Sequence, residues 1–141
     1  MDNNNFKNDR PTLPGGDRML RVAIIEDSLN ISRRLKELVE AIPGAIVVGQ
    51  ATTETSGVKL CNLENPDVIL LDLQLESGTG LGFLRAMQYL KKNIKPKIIV
   101  LTNFPSNFME RAAIVLGADK LLDKSLELHK LVPLLKAMTA P

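Results

Sequence analysis

The sequence predicts an α/β protein, a doubly wound five-stranded parallel sheet in a single domain. Apolar segments of strand length alternate with segments of helical periodicity along the whole chain. The strand segments are near-continuous apolar runs, which is typical of parallel strands buried on both faces. A length of 141 residues suits one domain with its own core. These three observations favour helices on both faces of one sheet.

Five runs rich in Val, Ile and Leu are the predicted strands. They occupy residues 21–25, 45–49, 68–71, 97–101 and 120–122. Helical spacing of apolar residues predicts helices between and after these strands. The predicted helices are 29–42, 55–63, one through Phe83, Leu84, Met87 and Leu90, then 107–116 and 127–137. The glycines at 78, 80 and 82 predict a flexible loop before the third helix, because they do not have the spacing of a dinucleotide-binding motif.

The predicted domain covers residues 19–141, and residues 1–18 form a polar, Pro- and Gly-containing segment that predicts a disordered tail. The first twenty residues contain no long apolar run, which predicts neither a signal peptide nor a membrane span. We therefore expect a cytoplasmic protein without a membrane partner. Because the sequence ends soon after the last predicted helix, we also expect no DNA-binding output domain.

The charge balance gives no indication of a nucleic-acid partner. Eighteen basic and sixteen acidic residues leave a formal net charge of +2, and like charges do not cluster. The single cysteine, Cys61, excludes an intramolecular disulfide, and its apolar setting predicts a small core residue.

Acidic and basic residues follow the predicted strands at the points where those strands end. Glu26 and Asp27 follow the first strand, Asp72 the third, and Lys124 the fifth. Thr102 follows the fourth strand. The carboxyl ends of parallel strands share one edge of a sheet, where ligands bind, so we expect these side chains to meet.

That set of residue types indicates phosphoryl chemistry. Clustered carboxylates repel one another unless a cation joins them, and oxygen-only ligands favour Mg²⁺. An aspartate such as Asp72 can act as a nucleophile and form an aspartyl phosphate. Phosphoryl transfer needs mainly charge neutralisation, which Mg²⁺ and Lys124 would supply.

The order of these motifs resembles the receiver domain of two-component response regulators. The resemblance spans roughly residues 20–138 and includes five motifs. They are Ile24-Ile-Glu-Asp-Ser28, Val68-Ile-Leu-Leu-Asp-Leu73, Ile98-Ile-Val-Leu-Thr102, Gly117-Ala-Asp119 and Asp123-Lys-Ser125. It implies a flavodoxin-like sheet with strand order 2-1-3-4-5. It also implies phosphorylation by a sensor histidine kinase or histidine phosphotransfer protein. Because no output domain is expected, we predict a stand-alone receiver that signals to an unknown protein target.

The resemblance further implies a role for each site residue. Asp72 resembles the phospho-acceptor, and Thr102 and Lys124 resemble the switch hydroxyl and the phosphate-binding lysine. The implied Mg²⁺ ligands are Glu26, Asp27, Asp72 and the backbone carbonyl of Gln74. We expect no enzymatic activity beyond slow self-dephosphorylation.

Four positions depart from the commonest pattern of that family. Ser125 replaces the usual proline after the lysine, so a cis peptide is not enforced there. Glu76 also stands where proline is common, and Leu121 where an aromatic switch residue is common. Phe104 lies two residues after Thr102, and with Gln74 it should hinder the attack of water on the acyl phosphate. The sequence therefore predicts slow self-dephosphorylation.

Two other classes of function, an enzyme and a pseudo-receiver, compete with the receiver. Among enzymes, a flavodoxin would need a hydroxyl-rich phosphate loop where Glu26 and Asp27 stand. An aspartate-nucleophile phosphatase of the haloacid dehalogenase type would need a carboxylate in place of Gln74. A pseudo-receiver that only binds a partner would lack the acceptor or the acidic pair, and this sequence contains both.

The fourth helix, fifth strand and fifth helix would form the signalling surface that is usual in the family. The candidate residues there are Phe108, Met109, Ile114 and Leu121, although several of them must belong to the core. A phosphorylation-dependent homodimer through this surface is a further expectation.

Overall fold

The computed structural model describes residues 18–90, 95–103 and 105–139. The strands are β1 (Leu20–Ile25), β2 (Ala45–Ala51), β3 (Val68–Leu71), β4 (Lys97–Thr102) and β5 (Lys120–Asp123). The helices are α1 (Leu29–Glu40), α2 (Glu54–Glu64), α3 (Gly80–Met87), α4 (Asn107–Val115) and α5 (Leu131–Met138). A short 3₁₀ turn, Leu128–Lys130, leads into α5. None of the helices within these ranges is long and apolar enough to cross a membrane.

The five strands form one parallel sheet in the order β2-β1-β3-β4-β5, which confirms the predicted fold class. The chain moves from β1 outward to β2 and then returns to the other side of β1 as β3. The strand order therefore reverses between β1 and β3, and such a switch point leaves a crevice beyond the carboxyl ends of the strands. The register pairs Ile25 with Leu71 and Leu71 with Val100, so three neighbouring strands reach this edge together.

Two apolar cores cover the two faces of the sheet, because successive side chains of a strand point to opposite sides. Val22 and Ile24 of β1 belong to the core that includes Leu35 of α1 and Leu131 of α5. The alternate positions of the same strands pack against α2, α3 and α4 on the opposite face. Every residue of β3 is buried, as the continuous apolar run predicted.

The first four α-helices begin at hydroxyl side chains. Ser28, Thr53, Thr79 and Ser106 each accept a hydrogen bond from the backbone N–H three residues later. Such caps satisfy donors that a helix leaves without partners at its first turn.

The structure changes several predicted boundaries. The first helix ends at Glu40, short of the predicted residue 42, and the last begins as a 3₁₀ turn and becomes α-helical at Leu131. The assignment of Gly80 and Gly82 to a flexible loop was wrong, because both belong to the first turn of α3. A Cβ at Gly80 would lie 2.5 Å from the backbone oxygen of Asp72, so this glycine permits close packing. The predicted tail, apart from Arg18, lies outside the described residues.

Candidate functional site

The acidic pair lies where β1 ends and α1 begins. The backbone N–H of Glu26 donates to Ala51 of β2 (2.9 Å), and its side chain is only 2% exposed. One carboxylate oxygen of Glu26 accepts from the backbone N–H of Ser28 (3.1 Å). Ser28, not Asp27, caps the helix, and the exposed Asp27 carboxylate joins Glu26 in a carboxylate cluster.

Asp72 lies directly after β3, between the ends of β1 and β4. Its backbone N–H donates to the carbonyl of Ile25 (2.9 Å), which fixes it beside the acidic pair. Its carboxylate is 6% exposed, and Oδ1 accepts from the backbone N–H of Gln74 (3.1 Å). The other oxygen, Oδ2, lies 3.1 Å from the Lys124 ammonium. Each carboxylate oxygen of Asp72 is therefore oriented by a separate donor.

Lys124 joins two of the carboxylates from the end of β5. Its Nζ lies 2.5 Å from Oε1 of Glu26 as well as 3.1 Å from Oδ2 of Asp72, and its side chain is 9% exposed. The backbone N–H of Lys124 donates to the carbonyl of Thr102 (2.9 Å), which ties the residue to the end of β4. The backbone of Lys124 is thus anchored at the ends of β4 and β5, and its ammonium contacts the carboxylates that follow β1 and β3.

The cluster has more negative charge than its lysine can balance. One oxygen from each of Glu26, Asp27 and Asp72 lies within 4.8 Å of the others. Burial raises the pKa of Glu26 to about 7, and the neighbouring Asp72 charge adds to the rise, although the contacts with Lys124 and Ser28 oppose it. Three ionised carboxylates and one ammonium would leave a charge of −2.

These residues fit a hard divalent cation. Oε1 of Glu26 is buried, and the Lys124 ammonium lies 2.5 Å from it as an ion-pair partner. Three carboxylates, one of them at the surface, match the few oxygen ligands that Mg²⁺ takes from proteins while it keeps several waters. Glu26, Asp27 and Asp72 would hold the ion.

Other predicted site residues lie nearby, and their roles stay predictions. Thr102 is buried at the end of β4, and its hydroxyl donates to the carbonyl of Asn103 (3.4 Å). The Gln74 side chain is exposed, and its backbone N–H contacts Asp72. Phe104 lies outside the described residues.

Asp123, a residue without a predicted role, shapes the turn that contains Lys124. Its Oδ1 accepts from the backbone N–H groups of Ser125 (2.8 Å) and Leu126 (3.2 Å). An aspartate that bonds its own backbone two residues later is a common turn device, so the Asp-Lys-Ser sequence contained the signal. The peptide bond between Lys124 and Ser125 is trans.

The predicted signalling surface is only partly exposed. Phe108 (77% exposed) and Ile114 lie at the surface of α4, and Val115 is exposed beside them. Met109 packs against a core cluster and Leu121 is buried, which confirms the expectation that several of the candidates belong to the core. The rotation of α4 about its axis determines which of its side chains are exposed. Met109 lies four residues before the buried Ala113 and therefore on the side of α4 that faces the sheet.

The fold and the site together define a doubly wound α/β protein with an acidic crevice at the switch point of its sheet. Residues 22–136 match the response regulator receiver domain, and the chain belongs to that family.

Two curated relatives show similar coverage. The transcriptional regulatory protein LiaR of Bacillus subtilis is 33% identical over 119 residues, 84% of this chain and 56% of that protein. The nitrate/nitrite response regulator protein NarP of Escherichia coli is 32% identical over 117 residues, 83% of this chain and 54% of that protein. The chain therefore spans about half the length of these relatives.

Solved structures agree on the fold. A DNA-binding response regulator of the LuxR family from Staphylococcus aureus superposes with a TM-score of 0.75 at 23% identity, over 84% of this chain and 98% of that one. The response regulator domain of Thermotoga maritima CheB gives a TM-score of 0.73 at 23% identity, over 86% and 93%.

Proposed function

We propose that this receiver domain accepts a phosphoryl group on Asp72 in a Mg²⁺-dependent reaction. The supporting observation is the buried Asp72 carboxylate, which lies 3.1 Å from the Lys124 ammonium and within a three-carboxylate cluster. The donor is the phosphohistidine of a sensor histidine kinase or of a histidine phosphotransfer protein, the usual partners that family membership suggests.

In the proposed reaction, a carboxylate oxygen of Asp72 attacks phosphorus as the bond from phosphorus to the donor imidazole breaks. The imidazole keeps the electron pair of that bond and takes up a proton. The Gln74 N–H holds the attacking carboxylate in orientation. Because the charge of the transferred group is spread over its oxygens, catalysis depends mainly on neutralisation. Glu26, Asp27 and Asp72 would hold a cation that would supply most of this neutralisation and would screen the carboxylates from the incoming phosphoryl group.

Lys124 has two roles in this proposal. Before transfer, its ammonium offsets the charges of Glu26 and Asp72. After transfer, the Asp72 oxygen that it contacts belongs to an acyl phosphate, and the same ammonium can pair with a phosphoryl oxygen. The Thr102 hydroxyl, at the end of the neighbouring strand, would then turn from its bond with Asn103 towards the phosphoryl group.

The proposed output is a protein contact, and the domain turns over no substrate other than its own acyl phosphate. The balanced charge of the chain, with eighteen basic and sixteen acidic residues, supports an output that does not depend on nucleic acid. The exposed Phe108 and Val115 of α4 offer an apolar contact surface for the target or for a second copy. Light scattering with and without beryllofluoride tests the predicted phosphorylation-dependent homodimer, and an unchanged mass would contradict it.

The direct test incubates the protein with acetyl phosphate and Mg²⁺ and measures intact mass. We expect a mass increase of one phosphoryl group that is absent in Asp72→Asn and absent when EDTA replaces Mg²⁺. A wild-type protein that gains no mass and still binds a partner would instead be a pseudo-receiver. Release of inorganic phosphate over many turnovers, dependent on Asp72, would indicate the phosphatase alternative.

A further inference from the structure

The loop that follows Asp72 is fastened to the segment before α2. Two backbone hydrogen bonds join the two segments. The N–H of Glu54 donates to the carbonyl of Ser77 (2.9 Å), and the N–H of Glu76 donates to the carbonyl of Thr52 (3.2 Å). The Thr52 hydroxyl also donates to the Glu76 carboxylate (3.2 Å). The β3–α3 loop, residues 73–79, is therefore held along its outer half by the β2–α2 connection.

The side chain of Glu54 adds a contact at the start of α3. Its Oε1 accepts from the backbone N–H of Thr79 (3.1 Å), the residue that caps α3 through its own hydroxyl. A carboxylate near the first turn of a helix is also favoured by the helix dipole. Glu54 thus fixes the end of the loop that is farther from Asp72 in sequence.

Two glycines make the space in which this carboxylate lies. A Cβ at Gly78 would be 2.5 Å from Cβ and 2.6 Å from Oε1 of Glu54, and Gly78 has a φ of +77°. A Cβ at Gly82 would overlap Oε1 of Glu54 and lie 2.9 Å from its Cδ. Side chains at either position would displace the carboxylate.

The same loop is anchored to the candidate phosphorylation site at its other end. Gly80 donates its backbone N–H to the carbonyl of Leu73 (3.0 Å), and a Cβ at Gly80 would lie 2.5 Å from the backbone oxygen of Asp72. Gln74 donates to the Asp72 carboxylate (3.1 Å). A shift of Thr79 and Gly80 would therefore be passed to the backbone at Asp72 and Gln74.

We propose that Glu54 is a positioning residue for the site at Asp72. By holding Thr79, its carboxylate keeps the β3–α3 loop in the one geometry in which Gln74 orients Asp72 and the loop backbone lies at the cation site. The inference rests on the proposed function, because it assigns Glu54 control over Mg²⁺ affinity and over the rate of phosphoryl acceptance.

The test compares Glu54→Ala, Glu54→Gln and the control Glu110→Ala in the full chain. Glu110 is the matched control because it is an exposed acidic residue in the first turn of α4, away from this loop. Amide hydrogen exchange reports on the loop, calorimetric titration with Mg²⁺ alone reports on the site, and acetyl phosphate labelling reports on acceptance.

For Glu54→Ala we expect amide exchange at Thr79 and Gln74 to accelerate about tenfold, as for the loss of one hydrogen bond. Mg²⁺ affinity should fall about tenfold, which is typical when a residue that supports metal ligands is removed. Glu54→Gln keeps an acceptor oxygen and should recover most of both losses, and Glu110→Ala should match the wild type.

A second pair of variants isolates the packing of Glu54 against α3. Gly82→Ala should accelerate exchange at Thr79 in the wild-type background, because the new Cβ displaces the carboxylate. In Glu54→Ala it should have no such effect, since the space is already empty. Equal effects in both backgrounds would overturn the inference.

The outcomes also separate this inference from the proposed function. If the wild type accepts phosphate and Glu54→Ala matches it in Mg²⁺ affinity and labelling rate, the inference is overturned and the proposed function stands. If the wild type neither binds Mg²⁺ nor accepts phosphate, both are overturned, although exchange at Thr79 still measures the hydrogen bond itself.

Discussion

Replacement of Lys124 by methionine should expose the electrostatic strain of the acidic cluster. The Lys124 ammonium lies 2.5 Å from Oε1 of Glu26 and 3.1 Å from Oδ2 of Asp72. The side chains of Lys124, Glu26 and Asp72 are 9%, 2% and 6% exposed, respectively. Removal of one partner from a buried ion pair destabilises a protein by about 3–5 kcal/mol. Because burial already raises the pKa of Glu26 to about 7, this carboxyl can take up a proton and limit the loss. We therefore expect about 3 kcal/mol at pH 8, or roughly 10 °C in Tm.

Urea denaturation followed by circular dichroism in EDTA measures this loss in the free energy of unfolding. The matched control is Lys130→Met, which breaks an exposed ion pair with Glu127 (2.7 Å) and should change stability little. Mg²⁺ should restore part of the stability of Lys124→Met, because a bound cation replaces the missing positive charge. Equal stability of the two variants in EDTA would refute the buried ion pairs.

Three further predictions concern the cation, the acyl phosphate and the loop after Asp72. Mg²⁺ affinity should fall about tenfold from pH 8 to pH 6. Glu26 must lose its proton to bind the ion, and with a pKa of about 7 it is mostly protonated at pH 6. Calorimetric titration measures this, and Glu26→Gln should bind more weakly without that pH dependence. Phe104→Ala should shorten the lifetime of the phosphorylated protein, measured by loss of the mass adduct, and an unchanged lifetime would contradict the predicted shielding. Gly80→Ala should lower the free energy of unfolding by about 2 kcal/mol, because its Cβ would meet the Asp72 carbonyl, and a stability equal to the wild type in urea would contradict that close packing.

Much of the fold was predictable because its signals are local. Each strand is a short apolar run between breakers, and β3 was predicted with its observed bounds, residues 68–71. The acidic and basic residues were predicted to meet because parallel strands bring their carboxyl ends to one edge. Glu26, Asp27, Asp72 and Lys124 do meet there.

Helix surfaces were less predictable. Apolar residues of α4 point both to the core and to solvent, so Met109 and Phe108 look equivalent in sequence while only the latter is exposed. The rotation of the helix about its axis separates them, and packing against the sheet fixes that rotation.

The sequence by itself determined the order of elements and the residue types at the sheet edge, because hydrophobic periodicity and strand ends are properties of neighbouring residues. Only the tertiary structure decided that Glu54 contacts Thr79, 25 residues away, and that Gly78 and Gly82 make room for its carboxylate. It also decided that burial raises the pKa of Glu26. These properties depend on distances between segments that are far apart in the chain, and such distances exist only once the helices pack against the sheet.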